Sequence, residues 1–71
     1  MTLKTLRLNK SISQKEVFVN LGLKQNTYSQ YETGKRQPAI DQIPKLAEAL
    51  DCSVEELVNA LIETKKQAQA N

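Results

Sequence analysis

The sequence predicts an all-α domain of five short helices, two of which are joined by a tight turn. Three observations support this fold class. Apolar residues recur at three- and four-residue spacing along most of the chain. Two of the apolar segments begin with the sequence pattern S-x-x-E, which is typical of the start of a helix. Only two or three residues, from Gly22 on, separate the second predicted helix from the third, so these two helices must cross closely, as in a helix-turn-helix.

Length and composition restrict the class of protein. A chain of 71 residues forms one small domain, and with a single cysteine and no histidine it lacks both a disulfide framework and the usual ligands of zinc. Cys52 is expected to be a small hydrophobic residue rather than a reactive thiol. No run of about 20 apolar residues is present. We therefore expect a soluble, cytoplasmic protein without a cofactor.

Charge is distributed unevenly, although the net charge is only +2. Basic residues predominate up to Ile40, and acidic residues predominate from Asp41 onward. A basic half is typical of a surface that faces a polyanion. A solvated surface of mixed charge is the alternative interpretation.

The first two helices have local start signals. Thr2 is expected to cap the first. Ser13 and Glu16 form a capping box that opens the second, from Gln14 to about Leu21, and Gly22 suits the left-handed residue that ends it.

The third helix, from Lys24 to Thr33, carries amide side chains and two tyrosines. Tyr28 and Tyr31 lie at i, i+3 and are expected to face the core, the alternative being exposed stacking platforms. Glutamine and asparagine can pair with the edge of an adenine in the major groove of DNA, and they can equally be solvent-facing amides on a surface helix. The polar residues on the other faces of the helix are Gln25, Asn26, Ser29 and Gln30.

The last two helices are also predicted from spacing and caps. An apolar pattern begins at Ile40, and Asp41 as N-cap would place Pro44 in the first turn, where no hydrogen bond is lost. Ser53 and Glu56 form a second capping box that opens the fifth helix.

The end of the fifth helix sets the domain boundary. Residues 1–62 are expected to form the domain, and residues 63–71 a polar tail that frays. Three apolar residues near this boundary either complete the core or form a dimer seam, and we favour the seam because exposed apolar surface usually marks a contact. These residues are Val58, Leu61 and Ile62.

The run S-Q-K-E-V-F-V-N-L-G-L-K-Q-N-T-Y-S-Q-Y-E-T-G-K-R-Q-P, residues 13–38, resembles the lambda-repressor-like helix-turn-helix domain. This domain is found in phage repressors, in Cro proteins and in the regulator family named after the xenobiotic response element. The resemblance covers roughly residues 2–58. It implies a compact five-helix lambda-repressor-like fold that binds double-stranded DNA.

The resemblance also implies roles for individual residues. Arg7 and Glu32 would form a structural ion pair. The residues in contact with DNA bases would be Gln25, Asn26, Ser29 and Gln30. The residues in contact with DNA phosphates would be Gln14, Lys24, Lys35 and Arg36. Three positions depart from the family pattern: Phe18 replaces a small residue between the motif helices, Lys24 replaces the usual serine or threonine N-cap, and Thr33 replaces the common asparagine before Gly34.

Together these features favour a sequence-specific transcriptional regulator, a small phage, mobile-element or bacterial repressor that binds a palindromic operator as a homodimer. A protein-interaction module, such as an antitoxin-type helix-turn-helix protein, is the alternative. An enzyme is not expected, because the sequence has no histidine, no glycine-rich phosphate loop and no evident pair of catalytic carboxylates. We expect no small-molecule ligand and no association with membranes.

Overall fold

A computed structural model describes residues 1–70 as an all-helical chain, with no strand in that range. The predicted fold class is therefore confirmed. A short 3-10 helix, Ile40–Gln42, precedes the fourth α-helix. The α-helices are α1 (Leu3–Asn9), α2 (Gln14–Asn20), α3 (Gln25–Thr33), α4 (Ile43–Ala49) and α5 (Val54–Gln69).

Hydroxyl side chains cap the N-termini of three of these helices, as the sequence predicts. Thr2 accepts a hydrogen bond from the backbone N–H of Thr5. The capping box at Ser53 is complete, since its Oγ accepts from the N–H of Glu56 at 3.0 Å and its own N–H donates to the Glu56 carboxylate at 3.2 Å. At Ser13 the hydroxyl both accepts from the N–H of Glu16 and donates to the Glu16 carboxylate, so the box there is only half formed.

Two glycines end the helices of the central motif. Gly22 follows α2 with φ of 67°, and Gly34 follows α3 with φ of 80°. Both values lie in the left-handed region, which a residue without a Cβ adopts at little cost. Leu23 N–H then donates to the carbonyl of Phe18 at 2.8 Å, which folds the chain back and sets α3 across α2.

The core lies where the five α-helices meet, and α2 contributes the fully buried Val17 to it. Tyr28 and Tyr31 both belong to it, with ring centroids 6.2 Å apart in an edge-to-face arrangement. Phe18 is partly buried and packs against the core. The large ring between the motif helices therefore lies at the core edge. The other buried apolar residues are Leu3, Leu6, Leu46, Ala47, Leu50, Leu57, Ala60 and Leu61.

The start of α4 differs from the prediction. Gln42, not Asp41, is its N-cap residue, although Pro44 does lie in the first turn. Ile40 belongs to the preceding 3-10 helix, and its side chain is 89% exposed. Ile40 therefore continues the apolar spacing of α4 without belonging to that helix or to the core.

The end of α5 also differs from the prediction. The polar tail expected from residue 63 is helical as far as Gln69, and the expected boundary falls inside α5. The last residue of that tail, Asn71, lies outside the described residues. Thr64 is buried, and its hydroxyl accepts a hydrogen bond from the N–H of Leu3 at 2.8 Å. This bond attaches the polar end of α5 to the start of α1.

The proposed seam on α5 is partly wrong. Leu61 is only 7% exposed and belongs to the core, so it is unavailable to a second chain. Val58 and Ile62 are 38% and 49% exposed. Val54, one turn before Val58, is exposed as well. The exposed apolar row on α5 is therefore Val54, Val58 and Ile62, at i, i+4 and i+8.

Substitution of the two capping serines tests how much each N-cap stabilises the protein. Ser53→Ala is expected to lower the free energy of unfolding by ~1 kcal/mol, because the backbone N–H of Glu56 loses its side-chain acceptor. Ser13→Ala is expected to cost about as much, because the backbone N–H of Glu16 loses the equivalent acceptor. Urea denaturation followed by circular dichroism measures both. An unchanged stability in either variant would contradict the role of that serine as an N-cap.

Candidate nucleic-acid interface

The outer side of α3 presents amide groups to solvent. Gln25, Asn26 and Gln30 are exposed, and Ser29 between them is half-buried. Their positions, i, i+1, i+4 and i+5, fall on one side of a helix. Tyr28 and Tyr31 occupy the opposite side and are buried. The structure thus brings the four predicted base-contacting residues together on a single surface.

A buried carboxylate holds α3 in place. Glu32 receives hydrogen bonds from Arg7 Nε at 2.6 Å and from Arg7 Nη2 at 3.3 Å. The side chains of Arg7 and Glu32 are only 7% and 4% exposed. Arg7 also donates through Nη1 to the carbonyl of Ile12 at 2.8 Å, in the link between α1 and α2. The structure therefore contains the ion pair that the resemblance implies.

Gln14 makes a contact that sequence reasoning did not identify. Its Nε2 donates to Glu32 Oε1 at 2.9 Å, so the amide expected at a phosphate supports the ion pair. Glu32 thereby joins α1, α2 and α3 through one carboxylate. No short-range pattern signals this contact, because Gln14 and Glu32 lie on different helices and are brought together only by the turn at Gly22.

The environment of Glu32 changes the pKa of the groups around it. Burial acts to raise the pKa of the Glu32 carboxyl, but the hydrogen bonds from Arg7 and Gln14 outweigh it and hold that pKa below its usual value. The bond to Glu32 raises the pKa of the Arg7 guanidinium against the effect of burial. Burial, and then the nearby Glu32 carboxylate, raise the pKa of the Tyr28 hydroxyl. The site is therefore an ionised pair beside a neutral phenol at neutral pH.

Cations flank α3 at both ends. Lys24 is its N-cap residue, and within the described chain it makes no side-chain cap, so the first N–H groups of the helix remain available. Lys35 and Arg36 follow the helix directly and are exposed. The backbone N–H of Arg36 donates to the carbonyl of Gln30 at 3.2 Å, which holds this short basic loop against the last turn of α3.

Metal-ligating groups, the cysteine and the hydropathy of the helices complete the description of residues 1–70. In residues 1–70 no group of three or more potential metal-ligating side chains is clustered. Burial raises the pKa of the Cys52 thiol, which keeps it protonated at neutral pH. None of the described helices is long and apolar enough to cross a membrane.

Known proteins resemble this chain over most of these helices. The helix-turn-helix family matches residues 3–57. The cryptic phage CTXphi transcriptional repressor RstR of Vibrio cholerae is 33% identical over 57 residues, which are 80% of this chain and 51% of the repressor. The chain thus spans about half the length of this curated relative. No solved structure matches the chain significantly.

The role of Glu32 can be tested by a neutral substitution of the same shape. Glu32→Gln is expected to lower the free energy of unfolding by ~3 kcal/mol near neutral pH, because the buried Arg7 guanidinium loses its counter-charge. Glu48→Gln, on an exposed part of α4, is the control and is expected to change stability by less than about 0.5 kcal/mol.

The contribution of Glu32 to the free energy of unfolding is also expected to depend on pH. The folded Glu32 carboxyl has a lower pKa than the unfolded one, so its stabilisation is complete above the ordinary value of 4.5 and is lost as pH falls below it. The stability difference between wild type and Glu32→Gln should therefore shrink on acidification. Urea denaturation at a series of pH values measures this difference. A difference that stays constant between about pH 6 and pH 3 would contradict the assignment.

Proposed function

This chain belongs to the helix-turn-helix family, and we propose that it is a sequence-specific double-stranded DNA-binding transcriptional regulator. The main support for this proposal is that α3 is buried on one side and exposes amide side chains on the other. Its tyrosines and the side chain of Glu32 are buried, while Gln25, Asn26 and Gln30 are exposed together on the outer side. A helix held in this way can enter a major groove and present its amides to base edges.

Base recognition is assigned to the outer side of α3. Glutamine and asparagine each offer a donor and an acceptor in the geometry that matches the N6 and N7 atoms of adenine. Ser29 lies between them and is half-buried, so it suits a single hydrogen bond at the edge of the groove. The residues proposed to contact bases are Gln25, Asn26, Ser29 and Gln30.

Phosphate contacts are assigned to both ends of α3. Lys35 and Arg36 are exposed and follow the helix directly, in a position to hold the DNA backbone. At the other end, Lys24 and the uncapped N–H groups of α3 attract an anion, and a phosphate there would replace the missing side-chain cap. Gln14 contributes mainly through Glu32, and its remaining hydrogen-bonding groups are proposed to reach a phosphate at the start of α2.

We propose that the regulator acts as a homodimer on a palindromic operator. The exposed apolar row Val54, Val58 and Ile62 on α5 supports this arrangement, because a small domain gains by covering such a row with a second copy. A twofold dimer would place two copies of α3 about 34 Å apart, one turn of the duplex. The similar Vibrio cholerae protein is a transcriptional repressor, which favours repression over activation.

Alanine substitutions on the outer side of α3 test base recognition. Gln25→Ala and Asn26→Ala are each expected to weaken binding to the cognate sequence by ~1–3 kcal/mol and to leave binding to random DNA nearly unchanged. Gln69→Ala, at the exposed end of α5, is the matched control and is expected to change neither. Fluorescence anisotropy with both DNAs measures the effect. Equal losses on cognate and random DNA would remove these residues from base recognition.

Substitutions in the basic loop test backbone contact. Lys35→Ala and Arg36→Ala are each expected to weaken binding to every sequence and to lower the salt slope, d(log K)/d(log [salt]), by about one unit. Lys66→Ala, on the exposed side of α5, is expected to leave the slope unchanged. A titration of affinity against salt concentration measures the slope. A wild-type slope in Lys35→Ala and Arg36→Ala would exclude these two residues from the phosphate contacts.

A further inference from the structure

The last turns of α5 lie beyond the part of the chain that matches the family. The match covers residues 3–57, whereas α5 continues to Gln69. Most side chains in these turns are polar and exposed, but Thr64 is buried. Two contacts connect them to α1 and α3.

The first contact is a buried hydrogen bond. The N–H of Leu3, at the start of α1, donates to Thr64 Oγ1 at 2.8 Å. The Thr64 hydroxyl in turn donates to the carbonyl of Ala60 at 2.8 Å. The hydroxyl therefore uses both its donor and its acceptor, and α5 is fixed in register against the start of α1.

The second contact is a close approach of α5 to Gly34. A Cβ on Gly34 would lie 2.7 Å from Ala68 Cβ and 3.2 Å from the carbonyl oxygen of Thr64. Thr64 and Ala68 are one turn apart, so one side of α5 packs on the glycine. Gly34 thus needs to be glycine for two reasons, its φ of 80° and the absence of room for a side chain.

Gly34 connects the proposed reading helix to the proposed phosphate loop. It follows Thr33 at the end of α3 and precedes Lys35 and Arg36. A small cleft is lined by Glu32 and Thr33 of α3 and by Thr64 and Ala68 of α5, so the end of α3 and the last turns of α5 are neighbours. The helix is therefore held at Glu32 by α1 and α2, and at Gly34 by α5.

We propose that Thr64 and Ala68 are positioning residues that set the C-terminal end of α3 and the Lys35–Arg36 loop for discrimination between cognate and random DNA. This inference rests on the proposed function. Loss of the α5 contact would let the end of α3 tilt away from its docked orientation. Gln30, whose carbonyl is bound by the N–H of Arg36, would be displaced most, and Gln25 and Asn26 least.

Thr64 is tested by a pair of substitutions. Thr64→Val removes the hydroxyl at nearly constant shape, and Thr64→Ser keeps it. Binding is compared at a temperature and pH at which urea denaturation shows each variant to be folded. The readout is the ratio of affinities for a sequence selected by the wild-type protein and for random DNA. Thr64→Val is expected to lower this ratio about tenfold, while Thr64→Ser stays close to wild type. An unchanged ratio in folded Thr64→Val would overturn the role of Thr64.

Ala68 is tested by a double-mutant cycle with Gly34. Gly34→Ala adds both a backbone strain and a clash with Ala68, and only the clash is removed when Ala68→Gly is added. Gly34→Ala is therefore expected to lower the affinity ratio more in the wild-type background than in the Ala68→Gly background, by about threefold or more. An identical effect in both backgrounds would show that α5 does not act through Gly34 and would overturn the inference.

Backbone amide chemical shifts separate this inference from the proposed function. In the DNA-free protein, Thr64→Val is expected to shift the amides of residues 30–36 more than those of Gln25 and Asn26. If the wild-type protein prefers no DNA sequence, the proposed function fails, and these shifts still decide whether α5 positions α3. Shifts confined to α1 and α5 would overturn the inference while leaving the proposed function intact.

Discussion

The bonds to the Glu32 carboxylate are the interaction on which the rest of the structure depends. Glu32 lies on α3, receives Arg7 from α1 and accepts the amide of Gln14 from α2. A buried carboxylate is costly unless charge and hydrogen bonds compensate it, so each of the three helices is tied to one geometry. The hydrophobic core brings the helices together, and the ion pair fixes how α3 is rotated among them.

Rotation of α3 is the property that a base-reading helix needs. With Tyr28 and Tyr31 buried and Glu32 locked, the amides of α3 can point only outward. The helix itself is weakly started, since Lys24 provides no side-chain cap among the described residues and places a cation at the positive end of the helix dipole. A phosphate bound there would offset both costs. The start of α3 in the free protein is thus less stable than a capped helix start, and a bound anion would stabilise it.

Local chemistry explains what the sequence predicted well. Caps at Thr2, Ser13 and Ser53 act over three residues, and the left-handed glycines act at a single position, so each can be recognised in the linear sequence. The inward direction of Tyr28 and Tyr31 follows from their spacing. The pairing of Arg7 with Glu32 joins residues far apart in the chain, and it was expected only through resemblance to a family.

Contacts between distant segments explain what the sequence predicted poorly. The apolar residues of α5 occupy a wider strip of its surface than the core covers. Their spacing therefore did not distinguish buried Leu61 from exposed Val58 and Ile62. The polar composition after residue 62 did not indicate that α5 continues to Gln69, or that the buried Thr64 attaches this end of the helix to α1. The four residues expected at DNA bases lie on one side of α3, as their spacing predicts. The partner of Gln14 depends instead on the turn at Gly22.

Selection of bound sequences from a random pool of double-stranded DNA tests the central claim most directly. A homodimer that reads a palindrome would enrich one sequence with twofold symmetry, its two half-sites separated by about one helical turn. Enrichment of a single unpaired half-site would retain base recognition by α3 and contradict the dimer. Failure to enrich any sequence would contradict DNA recognition itself and favour a helix-turn-helix domain whose outer side binds a protein.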